Sequence, residues 1–487
     1  MPKRVIIIGA GIGGLTTGAL LAKRGYAVKI FDQAIVPGGC ASTFKRQGFI
    51  FDVGATQVAG LEEGGIHHQI FRELGMEIPT ATPCDPACAV FLPNESEPIN
   101  IWRDPTQWQA ERQRQFPQSE PFWQFLQDLF KPSWRFQSRN PVLPPRNLWD
   151  LAQLIKALRW DTLFTVPFTL STVGDALRGF GLDRDRRLRT FLDLQLKLYS
   201  QVNAEETALL YAATSMSVSQ APLGLWHLQG SMQVLSDRLV EALEKYGGKL
   251  YMRHTVQAID PKSIQVKVYN QRTQAINWET ADQIVANVTV QSLMRLLGDQ
   301  APKGYKKRVQ NLKPASGAFV VYLGVDRKAV PDRCPPHLQF LDQYEDTRSL
   351  FVSVSKEGDG RAPLGQATII ASEFTDIFAW QTEDYENLKT IFTQRAIAQL
   401  GKYFNLENHI IYQEAATPRT FSRFTGRDQG MVGGIGMRVS TFSPFGFANR
   451  TPLKNIWLVG DCTHPGEGTA GVSYSAMTVV KQISAAD

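Results

Sequence analysis

A chain of 487 residues is too long for one hydrophobic core and calls for two intertwined domains. With 43% hydrophobic residues, 20% charged residues and no low-complexity tract, its composition excludes disorder on a large scale. The 52 Lys and Arg against 46 Asp and Glu leave a formal charge of +6, spread without any basic run or aromatic-interleaved stripe, which argues against nucleic-acid binding.

The chain opens on Val5-Ile6-Ile7-Ile8, a β-branched run of the kind that forms a strand buried on both faces. Val5 to Ala22 is uncharged and eighteen residues long, enough to suggest a membrane span or a signal peptide. Five glycines interrupt it, however, and a strand, a turn and a helix account for it better. Gly9-Ala10-Gly11-Ile12-Gly13-Gly14 follows the strand, Leu15, Ala19, Leu20 and Leu21 recur with helical spacing, and Ala27 to Phe31 forms a second strand ending in Asp32. Gly9 permits a tight turn, Gly11 lets the backbone approach a pyrophosphate, and Gly14 allows close packing of helix on strand. The helix start at Ile12 and Gly13 offers unpaired N–H groups and a partial positive charge to phosphates. Asp32, 18 residues beyond Gly14, stands where an acid accepts hydrogen bonds from ribose hydroxyls. Strand, glycines, helix, strand and acid in this order predict a dinucleotide-binding βαβ unit. Pro37-Gly38-Gly39, Cys40-Ala41-Ser42-Thr43-Phe44 and Phe51-Asp52-Val53-Gly54-Ala55 come next.

Cys84 and Cys88 share a C-x3-C spacing, but with only Cys40, Cys334 and Cys462 elsewhere no zinc set is completed. No metal site is expected, and the thiols read as reduced, as in a cytosolic protein. Phe122-Trp123-Gln124-Phe125-Leu126, Phe130, Trp134 and Phe136 mark an aromatic-rich helical insertion. The stretch Leu151 to Leu170 adds Leu154, Ile155, Leu158, Trp160, Leu163, Phe164 and Phe168, with Lys156 and Arg159 among them. Such a mixture docks at a membrane interface, or packs as an ordinary core helix with snorkelling cations.

Leu228 to Leu235 reads as a turn opening an amphipathic helix. Lys249 to Met252 with Val256 to Ile259 fits a strand returning to the dinucleotide-binding sheet, and Ile284 to Asn287 a further one. Phe319 to Leu323, Leu350 to Val354 and Thr368 to Ala371 are strand-like and suggest an antiparallel sheet. Gly430 to Gly436 is glycine-rich but lacks a flanking strand and helix, so it reads as a loop beside the substrate or cofactor. Near the end, Asn455 to Val459 forms a buried strand that stops at Gly460-Asp461. Thr463-His464-Pro465-Gly466-Glu467-Gly468 and Gly471-Val472 then lead into a helix of small residues. A segment of this kind brings backbone N–H groups and a carboxylate to one ligand, and Asp461 is its main candidate, with a helix N-cap as the alternative. His464 is the one candidate for acid–base chemistry, since histidine titrates near neutral pH, beside a plain packing or hydrogen-bonding role.

These segments resemble the phytoene desaturase and amine oxidase superfamily of FAD-dependent oxidoreductases. The resemblance rests on the N-terminal glycine unit, G-G-C-A-S-T-F, F-D-V-G-A-T-Q and G-D-C-T-H-P-G-E-G. Leu228-Gln229-Gly230-Ser231-Met232 is similar to its G-G-M-x-x-L segment, with Ser231 replacing the second glycine. Gly54-Ala55-Thr56-Gln57 and His67-His68 look like cyanobacterial carotenoid C-3′,4′ desaturases in particular. The resemblance implies an α/β fold: a Rossmann-like FAD domain of the glutathione-reductase type, discontinuous over residues 1–85, 225–300 and 425–487. An α+β substrate domain over 86–224 and 301–424, antiparallel sheet plus helices, is inserted in it. It implies FAD as cofactor, contacted by Gly9, Gly11, Ile12, Gly13, Gly14, Asp32, Gly38, Gly39, Val256, Gly460, Asp461, Gly471 and Val472. The implied substrate is an acyclic or monocyclic carotenoid, from which a hydride passes to flavin N5 and a proton leaves the neighbouring carbon. No triad, metal set or paired carboxylates stand out, which suits chemistry carried by the cofactor. A quinone or oxygen would reoxidise the flavin, in a cytoplasmic, peripherally membrane-associated protein. A cis-trans isomerase using reduced FAD, an oxidase on a related lipid, and a non-enzymatic carotenoid or flavin carrier are the other readings.

Overall fold

The run Val5 to Ile8 lies at the centre of a five-stranded sheet in the computed structural model, which describes residues 1–346 and 348–486. The strand order is Ile456–Leu458, Gln283–Ala286, Arg4–Ile8, Ala27–Asp32, Lys249–Met252, and every pairing is parallel. A parallel sheet of this kind needs cover on both faces, and the alternation of the first strand shows how it is obtained. Val5 and Ile7 face a core shared with the helices Ile12–Lys23, Gln233–Lys245 and Thr469–Ala486. Ile6 and Ile8 face the opposite core, covered by the helix Val290–Leu297 and a three-stranded antiparallel sheet.

That small sheet corrects one expectation. Lys249–Met252 joins the parallel sheet, but Arg253 sits in the left-handed region at φ 58° and breaks the strand there. Val256 therefore belongs to His254–Asp260, which pairs with Gln265–Asn270 and packs over the sheet instead of entering it.

The second large sheet has seven strands, in the order Ile410–Ala416, Ser316–Asp326, Gln366–Asp376, Leu350–Val354, His337–Phe340, Cys88–Phe91, Ile99–Ile101. It is antiparallel as expected except where His337–Phe340 runs parallel to Cys88–Phe91, so strands from both insertions build one sheet. Helices including Glu120–Ser138, Arg186–Ser200 and Leu209–Ser219 surround a core of Trp108, Phe122, Trp123 and Phe191. The stretch from 151 to 170 is not one helix. It divides into Leu148–Ala157, Trp160–Leu163 and a 3-10 turn Val166–Leu170, because Leu158 and Arg159 are extended and break the first helix from the second.

Candidate functional site

A cavity of about 1060 Å³ runs between the parallel sheet and the inserted layer. One half of its wall is backbone. Gly9 turns the chain at φ 100°, where an added Cβ would stand 2.5 Å from the Asn287 carbonyl oxygen. Gly11 caps the helix Ile12–Lys23 without any side-chain hydrogen bond, so the N–H groups of its first turn stay available at the wall formed by Gly11, Ile12 and Gly13. Gly14 is not on the wall. A Cβ there would meet the Gly9 carbonyl oxygen at 2.1 Å, so its smallness serves helix-on-turn packing.

Asp32 reaches the same wall, and its carboxylate braces the turn. Oδ2 accepts from the Ala10 N–H at 2.6 Å and Oδ1 from the Ala34 N–H at 2.7 Å. Burial raises its pKa against those two bonds. Gly38, at φ 115°, donates its N–H to the Ala10 carbonyl at 2.8 Å, placing Gly39 and Cys40 beside Gly11 on the wall. Val256, Gly460, Gly471 and Val472 line the cavity as well. Asn287, read from sequence only as the end of a strand, donates from Nδ2 to the Gly9 carbonyl at 3.2 Å and locks the glycine turn to the neighbouring strand.

Asp461 lines the cavity too, and it does not cap the helix that follows, which begins eight residues later at Thr469. It is paired instead with Arg427 at 2.8 Å, and both side chains are largely buried. Arg427 also donates to the carbonyls of Met431 and Gly433, so one guanidinium ties the glycine-rich loop 430–436 to the Gly460-Asp461 turn. Sequence patterning missed Arg427 because its partner lies 34 residues away and no motif marks it.

His464 is on the wall, buried, with its Nε2 2.9 to 3.1 Å from the amide of Gln137 and its Nδ1 without a partner. Burial alone lowers its pKa to about 3, so the imidazole is neutral and does not titrate near neutral pH. Glu467, quoted in the G-E-G run but assigned no role there, is the more unusual group: burial, then the nearby Asp461, push its carboxyl up to about 8.

The other half of the wall is apolar and drawn mainly from the inserted layer, through residues such as Leu154, Leu158, Leu210, Val218 and Phe351. Among the described residues no cluster of His, Cys, Asp and Glu side chains is placed to hold a metal ion. An uncapped helix start, a cradle that any Cβ would fill and a backbone-lined slot continuing to Gly460 fit the diphosphate and ribityl parts of a flavin dinucleotide.

Comparison with known proteins agrees. Residues 12–484 match the family of flavin containing amine oxidoreductases. Prolycopene isomerase 2 of an Oncidium hybrid cultivar is 26% identical, with 99% of this chain and 83% of the relative covered. The zeta-carotene-forming phytoene desaturase of Myxococcus xanthus is 23% identical, covering 99% and 94%. The 4,4′-diaponeurosporene oxygenase of Staphylococcus aureus is 22% identical, covering 100% and 99%. Among solved structures, an oxidoreductase from Methanosarcina mazei aligns with a TM-score of 0.65 at 16% identity, over 98% of this chain and all of its own. Putrescine oxidase aligns at 0.65 and 14%, over 100% and 99%, and these two likenesses establish the fold. The chain thus belongs to the flavin containing amine oxidoreductase family, as an FAD-dependent oxidoreductase of the superfamily that holds the carotenoid desaturases and isomerases.

Proposed function

We propose that the protein desaturates an acyclic or monocyclic carotenoid near one end of its polyene, passing the electrons on to a quinone or oxygen. The observation that carries this reading is the division of one cavity into a glycine-built half and an apolar half, so that a long hydrocarbon and the dinucleotide share a single water-poor space. Relatives named for carotenoid substrates support it. When bound, FAD supplies a two-electron acceptor for hydride. Gly11, Ile12, Gly13 and the Gly460-Asp461 turn would hold its phosphates and ribityl chain, with Gly38, Gly39, Val256, Gly471 and Val472 completing the slot. The apolar wall positions the saturated carbon–carbon bond and keeps water from it. Positive charge developing on the substrate is spread along the conjugated chain, so no strong side-chain acid is required there. Cis-trans isomerisation with reduced FAD is the second reading, supported by four prolycopene isomerases of 25–26% identity among the relatives.

Peripheral docking on a membrane forms part of the proposal, because such a substrate dissolves in lipid. No helix among the described residues is long and apolar enough to cross a bilayer. The segment Leu148 to Leu170 instead presents Leu148 (85% exposed), Trp160 (89%), Phe164 (55%) and Leu170 (68%) to the outside, with Lys156 and Arg159 exposed beside them. Leu154, Leu158, Thr162 and Thr165 of the same segment line the cavity, so the outward apolar surface and the cavity wall are two sides of one structure. Anaerobic mixing of the FAD-loaded protein with an acyclic carotenoid in liposomes tests the function. Flavin bleaching matched by a red-shifted polyene is the expected result. A polyene that only changes geometry, and only after the flavin is chemically reduced, would overturn desaturation in favour of the isomerase.

A further inference from the structure

Glu467 stands in the turn that feeds the helix Thr469–Ala486, on the wall of the cavity. Its Oε2 accepts from Gln201 Nε2 at 3.0 Å and from the Gly434 N–H at 3.4 Å. Its Oε1 is shut off from water and has no hydrogen-bond partner. Gln201 follows the helix Arg186–Ser200 of the inserted layer, whereas Gly434 packs against the Asp461 backbone, where an added Cβ would lie 2.5 Å from the carbonyl oxygen. The carboxyl therefore sits at the seam between the two halves of the cavity, where the ends of two ligands would meet.

Asp461, Arg427 and Tyr211 are the ionisable groups that act on it. Asp461 is committed to Arg427, and the Tyr211 hydroxyl is spent on the Tyr199 carbonyl at 2.5 Å. His464, on the same turn, is neutral and bonded to Gln137. A purely structural glutamate is normally paired or solvated. This one has no cationic partner bonded to it, only two neutral donors on one oxygen and none on the other, and with a pKa of about 8 it exchanges its proton in the working range of a general base.

Building on the carotenoid reading above, we propose that Glu467 is a catalytic residue, the base that removes the second hydrogen of the desaturated bond as a proton. On one carbon the C–H bond breaks and its electron pair leaves as hydride to the bound flavin, the two-electron oxidant. On the neighbouring carbon the C–H proton goes to the Glu467 carboxylate, and the electron pair of that bond closes the new C=C. Gln201 and the Gly434 N–H steady the carboxylate before transfer, and the proton leaves through the cavity that Glu467 lines once the product has vacated it.

The test compares wild type, E467Q and E467D as FAD-loaded proteins in carotenoid liposomes. Gln keeps the size of the side chain and an acceptor for Gln201, so flavin content and flavin absorbance should match wild type. Two readouts then separate a base from a structural residue. In infrared difference spectra between pH 7 and 9.5, without substrate, wild type should lose a protonated-carboxyl band that E467Q lacks. Polyene red-shift should slow at least about 100-fold in E467Q. In wild type the rate should climb with pH and level off above about 8. E467D should recover part of the rate and keep a pH dependence. Turnover by E467Q within about threefold of wild type with the same pH profile, or persistence of the titrating band in E467Q, overturns the proposal alone. If E467Q loses its flavin, E467D decides: a normal rate without pH dependence also overturns it. A wild type that alters neither carotenoid nor flavin spectrum overturns the functional reading, and the proposal with it.

Discussion

The two halves of the cavity are built on opposite rules. On the dinucleotide side the surface is backbone, and its shape is set by what is missing: an added Cβ at Gly9, Gly13 or Gly14 would lie 2.1 to 2.8 Å from Gly9 or Asn287 atoms. On the apolar side the surface is a mosaic of side chains from helices and an antiparallel sheet, where one leucine can replace another at small cost. The first half tolerates almost nothing, because at Gly9 and Gly14 the neighbours are backbone carbonyls that cannot move aside. The second tolerates much, because apolar side chains of similar size can repack against one another and make few directed bonds. One space thus holds two surfaces governed by different physics, as the proposed sharing of it by cofactor and hydrocarbon requires.

Three experiments break or sharpen that contrast. The largest effect is expected from G14A. The new methyl would press on the Gly9 carbonyl, a cost of about 1–3 kcal/mol or more, and the displaced turn should abolish FAD retention. Flavin absorbance per mole of purified protein and the thermal midpoint report both. G304A, in the helix Lys303–Gln310 with open space around the new Cβ, is the control and should be neutral or slightly stabilising. An FAD-replete G14A protein would show that the backbone half is less rigid than its geometry requires.

An intermediate effect is expected from H464Q, read against pH. The folded His464 has its pKa lowered to about 3, so below pH 6.5 the unfolded chain takes up a proton that the folded chain refuses. Stability from this group is therefore complete above about 6.5 and declines as the pH falls towards 3, by about 2 kcal/mol at pH 5. His67, lowered to about 4 by burial, adds a slope of the same sign, while the raised pKa values of Asp32, Asp52 and Glu467 oppose it. The wild type and H464Q should accordingly diverge in their unfolding midpoints between pH 7 and 5, with the variant less sensitive to acid. Parallel curves would place the imidazole in contact with solvent.

The smallest effect on the fold is expected from W160S and F164S on the outward side of the apolar half. Both side chains are exposed, so stability should change by no more than about 0.5 kcal/mol and flavin content should not change. Flotation with lipid vesicles should nevertheless show weakened binding, most of all in the double variant. Unaltered flotation would remove this segment from any lipid contact.

Much of the fold could be read in advance where the pattern is local. The strand Arg4–Ile8, the glycine turn and the strand Ile456–Leu458 with its Gly-Asp end were all visible, since a buried strand and a phosphate-binding turn each impose their residue types within a few positions. The break at Arg253 was not visible: a left-handed residue that is not glycine leaves no mark in hydrophobic periodicity. Asn287 passed for the tail of a strand because its work is done on Gly9, 278 residues earlier.

The sequence by itself therefore determined the glycine-built half, because tight turns and close backbone approach demand glycine in closely spaced positions whatever the rest of the chain does. The tertiary structure alone decided that Asp461 faces Arg427, that Glu467 meets Gln201 with one oxygen left unpaired, and that Leu148 to Leu170 turns one side to the cavity and the other outward. Burial, ion pairing and the pKa shifts that follow from them arise when distant segments exclude water together, and no single stretch of chain carries that information.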